Sequence, residues 1–133
     1  MKLYGIEHIG IAFKSLVEAV NFYEDILELK CYAVENVEDQ MVKTVFFRIG
    51  EIKIEILEAI SPDSPIYTFI EKRGEGLCHI AYKVENLNNA LINLKNRGVK
   101  LIDKIARVGT EGLLIGFDNP RSAFGVSSKF CSL

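Results

Sequence analysis

The sequence predicts an α+β fold built from two tandem βαβββ modules. Three observations carry that expectation. First, the chain repeats itself. Laid over one another at an offset of 71, "IEHIGIAFKSLVEAV" and "LCHIAYKVENLNNAL" place His8 on His79, Ile9 on Ile80, Leu16 on Leu87 and Ala19 on Ala90. Second, each copy opens with apolar residues alternating at period two and then passes into a helical stripe. Third, each copy is followed by three more strand-like runs. Neither copy can bury its sheet alone, so the 133 residues read as one domain, with module 1 about 1–60 and module 2 about 75–133.

The elements follow in order. Residues 3–13 alternate as a strand, with Ile6, His8, Gly10 and Ala12 on one face and Ile9, Ile11 and Phe13 on the other. Ser15 is an N-cap with Glu18 as its capping-box partner. Leu16, Ala19, Val20, Tyr23 and Leu27 then mark an amphipathic helix over 16–28. Strands are expected near 31–36, 41–49 and 52–59, separated by turns at "EDQ" and "IGE". "SPDSPIYTFIEKRGEG" supplies a short helix over Ile66 to Lys72, stopped at Gly74. The pattern restarts with a strand over 77–84 and a helix over 87–97, capped by Asn86 and stopped by Gly98. Strands near 100–107, 112–118 and 124–130 complete the second copy.

Composition excludes several classes of function. A net charge of −2 leaves no basic footprint for nucleic acid and no polybasic patch for a membrane surface. No apolar run approaches the roughly 20 residues that span a bilayer. "MKLYGIEHIG" does not fit a secretion signal. Cys31, Cys78 and Cys131 are an odd number at wide spacing, which fits a reducing cytoplasm, and no C-x-x-C pair points to a thiolate zinc site. Cys78, Phe46 and Phe47 read as core, and "GEG" at 74–76 as a turn.

The candidate chemistry lies in the repeat. Equivalent positions of two modules are related by an approximate two-fold, and sheets curving towards each other would bring His8 and His79 together. In "EIKIEILEA", Ile54 and Ile56 should face the helix, which leaves Glu55 on the inner face with Lys53 and Leu57. A carboxylate there needs a partner. His8, Glu55 and His79 are the right types to hold a divalent ion with open positions.

"EHIGIAFKSLVEAVNFYEDILELK", "SPDSPIYTFIEKRGEGLCHIAYKVENLNNAL" and "RGVKLID" closely resemble the methylmalonyl-CoA epimerase branch of the vicinal oxygen chelate (glyoxalase, bleomycin resistance, dioxygenase) superfamily. The resemblance implies paired βαβββ modules forming an open barrel-like cleft around one divalent metal ion (Co, Zn, Ni or Mn). It implies a homodimer acting on a small-molecule carbonyl or acyl-CoA substrate, methylmalonyl-CoA first. The reaction would be metal-assisted proton transfer next to a carbonyl or thioester. The family's first three ligand positions match His8, Glu55 and His79. Its fourth is a glutamate on the last strand, where this chain has "GVSSKF" and therefore Lys129. A run that is often His-Pro-Lys in the family is Asn119, Pro120, Arg121 here, and a second base used by some relatives aligns with Thr44.

The catalytic candidates are therefore Lys129, Glu55 and Thr44. Three readings of Lys129 stand open. Its ammonium replaces the ion's charge and pairs with Glu55; it shuttles a proton; or it points away and the ion stays on His8, Glu55 and His79. By alternation it faces inward with Ser127, opposite to Val126 and Phe130. Two other functions compete with an epimerase: a non-catalytic, resistance-type binder of small molecules, and a glyoxalase I-like lyase. Arg121, Arg107 and Arg73 are candidates for a CoA phosphate, set against the commoner reading as solvated surface charges.

Overall fold

A computed structural model describes residues 1–119 and 127–133. The elements run β1 (Leu3–Ala12), α1 (Leu16–Asn21), β2 (Ala33–Val37), β3 (Val42–Ile49), β4 (Ile52–Ala59), α2 (Pro65–Arg73), β5 (Gly76–Val84), α3 (Leu87–Asn96), β6 (Arg107–Val108), β7 (Leu114–Phe117) and β8 (Ser127–Ser132). The order βαβββ thus occurs twice, with α2 between the copies. The chain forms two compact units, Ile9–Cys78 and Met1–His8 with His79–Leu133. β1 and β5 each have residues in both.

The unit Ile9–Cys78 has the strand order β2-β3-β4-β1, with β2, β3 and β4 antiparallel. The alternation of β1 sends Ile9, Ile11 and Phe13 onto a core of Leu16, Ala19, Val45, Phe47, Ile54 and Ile56. Ser15 caps α1 by accepting from the Glu18 amide. The expected helix over 16–28 is α-helical only to Asn21, and Phe22–Ile26 form a π-helical turn in which Leu27 N donates to Phe22 O. A π turn takes up one extra residue, so the apolar stripe slips round the helix. Tyr23 stacks on Phe47, and Leu27, expected on the buried stripe, is exposed. α2 starts where Ser64 accepts from Ile66 N and ends at Gly74, whose φ of 80° a Cβ would oppose.

The other unit has the strand order β1-β5-β8-β7-β6, with β5 and β8 parallel and β7 and β8 antiparallel. Asn86 caps α3 by accepting from Asn89 N. α3 packs Leu87, Ala90, Leu91 and Leu94 with Val84 and Phe130. Gly116 allows the approach of α3 to β7: a Cβ there would lie 2.9 Å from the Leu91 side chain.

The strand expected over 100–107 does not form. Only a bridge from Leu101 to Asp118 and the two residues of β6 remain. The cause is Asp103. Its carboxylate accepts from the Phe117 amide and from Arg107 Nε, each at 2.9 Å, while Ile102 N and Asp103 N both donate to Phe117 O. A side chain thereby takes the donor that a strand partner would have used. β8 runs two residues past its expected end, and its expected start at 124–126 lies outside the described residues.

Candidate active site

Strand alternation aims the site residues. On β1, His8 shares its side with Gly10 and Ala12, opposite the residues that meet α1. In the parallel pair of β5 and β8, His79 lies opposite Ser127 and Ala81 opposite Lys129. In the antiparallel pair, Phe117 lies opposite Lys129. One sheet face therefore carries His79, Ala81, Lys129 and Phe117, and Ala81 sets only a methyl group beside the lysine stem. The Phe117 ring meets His79 edge-on at 5.4 Å and lies 5.6 Å from Lys129 Nζ.

Three predicted site residues converge within this unit. His8 is fully buried, His79 is 5% exposed and Lys129 is 4% exposed. The Nε2 atoms of His8 and His79 are 3.0 Å apart, with their rings nearly perpendicular. Lys129 Nζ is 3.2 Å from His8 Nε2. Against one part of the third reading, Lys129 does not point away: it points at the histidines, because its inward alternation on β8 leaves it no other side.

The hydrogen-bond roles follow from chemistry. A lysine ammonium only donates, so His8 Nε2 accepts and the proton sits on Nδ1. Nδ1 donates in turn to Glu7 Oε1 at 2.8 Å. His79 Nε2 lies 3.0 Å from His8 Nε2. Glu7 was not among the sequence candidates, since it precedes His8 on a strand and neighbours alternate faces. A carboxylate adjacent to a candidate histidine was the available signal.

Glu55 and Thr44 lie in the other unit. The register of β3 and β4 sets Phe46 opposite Glu55 and Thr44 opposite Leu57, which puts all four on one face, as alternation predicts. Glu55 is 1% exposed and Thr44 fully buried. The Thr44 hydroxyl has no hydrogen-bond partner among the described residues. Arg107, a candidate for a CoA phosphate, is instead paired with Asp103 and lies over the Phe117 ring. Arg73 ends α2. Pro120 and Arg121 lie outside the described residues.

Do these residues fit a divalent ion? Two converging imidazoles, one oriented by a carboxylate, are a ligand pair of the expected kind. Lys129 stands against it. The His8 lone pair that an ion would take already faces an ammonium. A divalent ion held by these histidines would also be repelled by the like charge of the ammonium. As arranged, the set does not fit a divalent ion.

Comparisons with known proteins agree with the fold. Residues 7–117 match the model of the Glyoxalase/Bleomycin resistance protein/Dioxygenase superfamily. The chain is 41% identical over 126 residues to an uncharacterized protein, YqjC, of Bacillus subtilis (strain 168), covering 95% of this chain and 90% of that one. It is 30% identical over 126 residues to the mitochondrial methylmalonyl-CoA epimerase of Mus musculus, covering 94% of this chain and 71% of that one. A variant of the Streptomyces coelicolor methylmalonyl-CoA epimerase, solved with 2-nitronate-propionyl-CoA, superposes with a TM-score of 0.93 at 29% identity, covering 98% of this chain and 94% of that one. With its doubled βαβββ order and its histidines at equivalent points of β1 and β5, the chain belongs to the glyoxalase/bleomycin resistance/dioxygenase superfamily, in the branch that holds the methylmalonyl-CoA epimerases.

Proposed function

We propose that the protein binds an acyl-CoA thioester and moves the proton on its α-carbon, with methylmalonyl-CoA as the first substrate to test. One observation carries this reading: the buried Lys129 ammonium stands against His8 and His79 with N–H donors to spare. Such a group suits an oxygen that gains negative charge. In the reaction the α C–H bond breaks and its electron pair becomes the C=C bond of an enolate, as the thioester C=O becomes C–O⁻. A base holds the proton. A proton returned to the opposite face restores the thioester with the carbon inverted.

The residue roles are part of the proposal. Lys129 holds the developing oxyanion. Glu55, a buried carboxylate at a family ligand position, is the group that takes the proton. Thr44, whose buried hydroxyl has no partner among the described residues, hydrogen-bonds the substrate. Relatives named methylmalonyl-CoA epimerase, and a solved one holding a CoA nitronate, support the choice of substrate. The test is α-proton exchange of methylmalonyl-CoA in D₂O, followed by NMR. Exchange that is lost in Glu55→Gln supports the reading; no exchange at any protein concentration rejects it.

A second reading has one observation in its favour. Lys129 and Thr44 stand where the family resemblance expects a carboxylate and a second base. A resistance-type protein that binds a small molecule without turnover would need neither. Calorimetric binding of methylmalonyl-CoA without exchange selects it.

A further inference from the structure

We infer that Lys129 is the resident cation of this site and that the chain works without a divalent ion. The inference rests on geometry within one unit. Two buried imidazoles face each other at 3.0 Å, a spacing that two ligands of one ion could also adopt. Lys129 decides between the cases. Its Nζ lies 3.2 Å from His8 Nε2, on the lone pair a metal would need. Its Nζ also lies over the Phe117 ring, 5.6 Å from the ring centre. Glu7 completes the arrangement by fixing the proton on His8 Nδ1, so that Nε2 keeps an acceptor for the ammonium.

The ligand class follows. An ammonium has three N–H donors, and one is spent on His8. Two remain for an oxyanion. A metal ion would offer such an oxygen a Lewis-acid contact; Lys129 offers charge-assisted hydrogen bonds instead, tethered to β8 and unaffected by chelators. The oxygen is that of an enolate or a carboxylate. Its assignment to an acyl-CoA rests on the function proposed above, but the replacement of the metal does not.

The test separates the two. The full-length wild type, Lys129→Glu and Lys129→Met are dialysed against Zn²⁺, Co²⁺, Ni²⁺ or Mn²⁺, and bound metal is counted by mass spectrometry. The wild type is expected to hold well under one ion per chain. Lys129→Glu, which restores a carboxylate, is expected to hold about one ion, bound at least about tenfold more tightly than by the wild type. If Lys129→Glu does not fold, Lys129→Met must still bind more tightly than the wild type, because it removes the repelling charge. One ion per wild-type chain overturns the inference, and so does a failure of every folded variant to gain affinity. An inactive wild type that holds no metal rejects the proposed epimerase and leaves the lysine's role intact.

Discussion

The ammonium of Lys129 donates to Nε2 of His8 across 3.2 Å and 121 residues of sequence. A buried lysine with an imidazole acceptor is a positive charge kept in place where the resemblance implies a metal ligand. What that contact bears on first is the tautomer of His8. With Lys129 as the donor, His8 is expected to be the Nδ1–H tautomer. Long-range ¹H–¹⁵N correlation of the His8 ring is expected to show that tautomer in the wild type. In Lys129→Met the requirement on His8 disappears.

Lys129→Met should also separate stability from function. Replacing a buried charge with an apolar side chain of similar length is often neutral or stabilising. Its thermal midpoint is expected to stay within a few degrees of the wild type. Substrate turnover, or binding if there is no turnover, is expected to fall about 10²-fold or more. Thermal unfolding monitored by circular dichroism, alongside the exchange assay, checks both halves.

Thr44→Val tests the orphan hydroxyl. A buried polar group with no partner costs about 1–3 kcal/mol, so the isosteric valine should leave stability unchanged or raise it. If Thr44 contacts the bound molecule, affinity drops while stability does not. Urea unfolding and calorimetry give the two numbers. A destabilised Thr44→Val would mean that the hydroxyl already has a structural partner.

Asp103→Ala should destabilise the fold by about 1–3 kcal/mol, because it strips the Phe117 amide of its acceptor and Arg107 of its partner. Phe117 also meets His79 and Lys129, so the loss should reach the site as weaker ligand binding. Asp103→Asn keeps an oxygen for the amide and is expected to lose less. The comparison needs only denaturant curves and one titration.

Asp118 predicts a pH dependence. Burial pushes its carboxyl above the ordinary carboxylate range, and hydrogen bonds from Ser128 partly offset that. A raised folded-state value means that the group contributes stability fully below its unfolded value near 3.8, and that this is lost as pH rises through the folded value. Asp118→Asn keeps the acceptor for Ser128 N but cannot ionise. Relative to the wild type it should be as stable or more stable at pH 7, with its advantage shrinking towards pH 3. An advantage that grows on acidification would contradict the sign.

Much of the fold was legible in the chain because its signals are local. The caps at Ser15 and Asn86 and the stops at Gly74 and Gly98 act within one turn of backbone. The equivalence of His8 and His79 was legible because a duplicated module carries its register with it. The π turn after Asn21 was not, since stacking of Tyr23 on Phe47 joins residues that no helical period relates. Nor was the loss of the strand over 100–107, where one carboxylate competes with the backbone for the Phe117 amide.

By itself, then, the sequence determined the doubled βαβββ order, the faces on which His8, His79, Glu55 and Lys129 stand, and the family. Only the tertiary structure decided what Lys129 touches and that Glu7 stands within hydrogen-bond reach of His8 Nδ1. The reason is physical. Alternation and capping are set by neighbours within a few residues, whereas a buried charge takes its meaning from the acceptor that packing delivers to it.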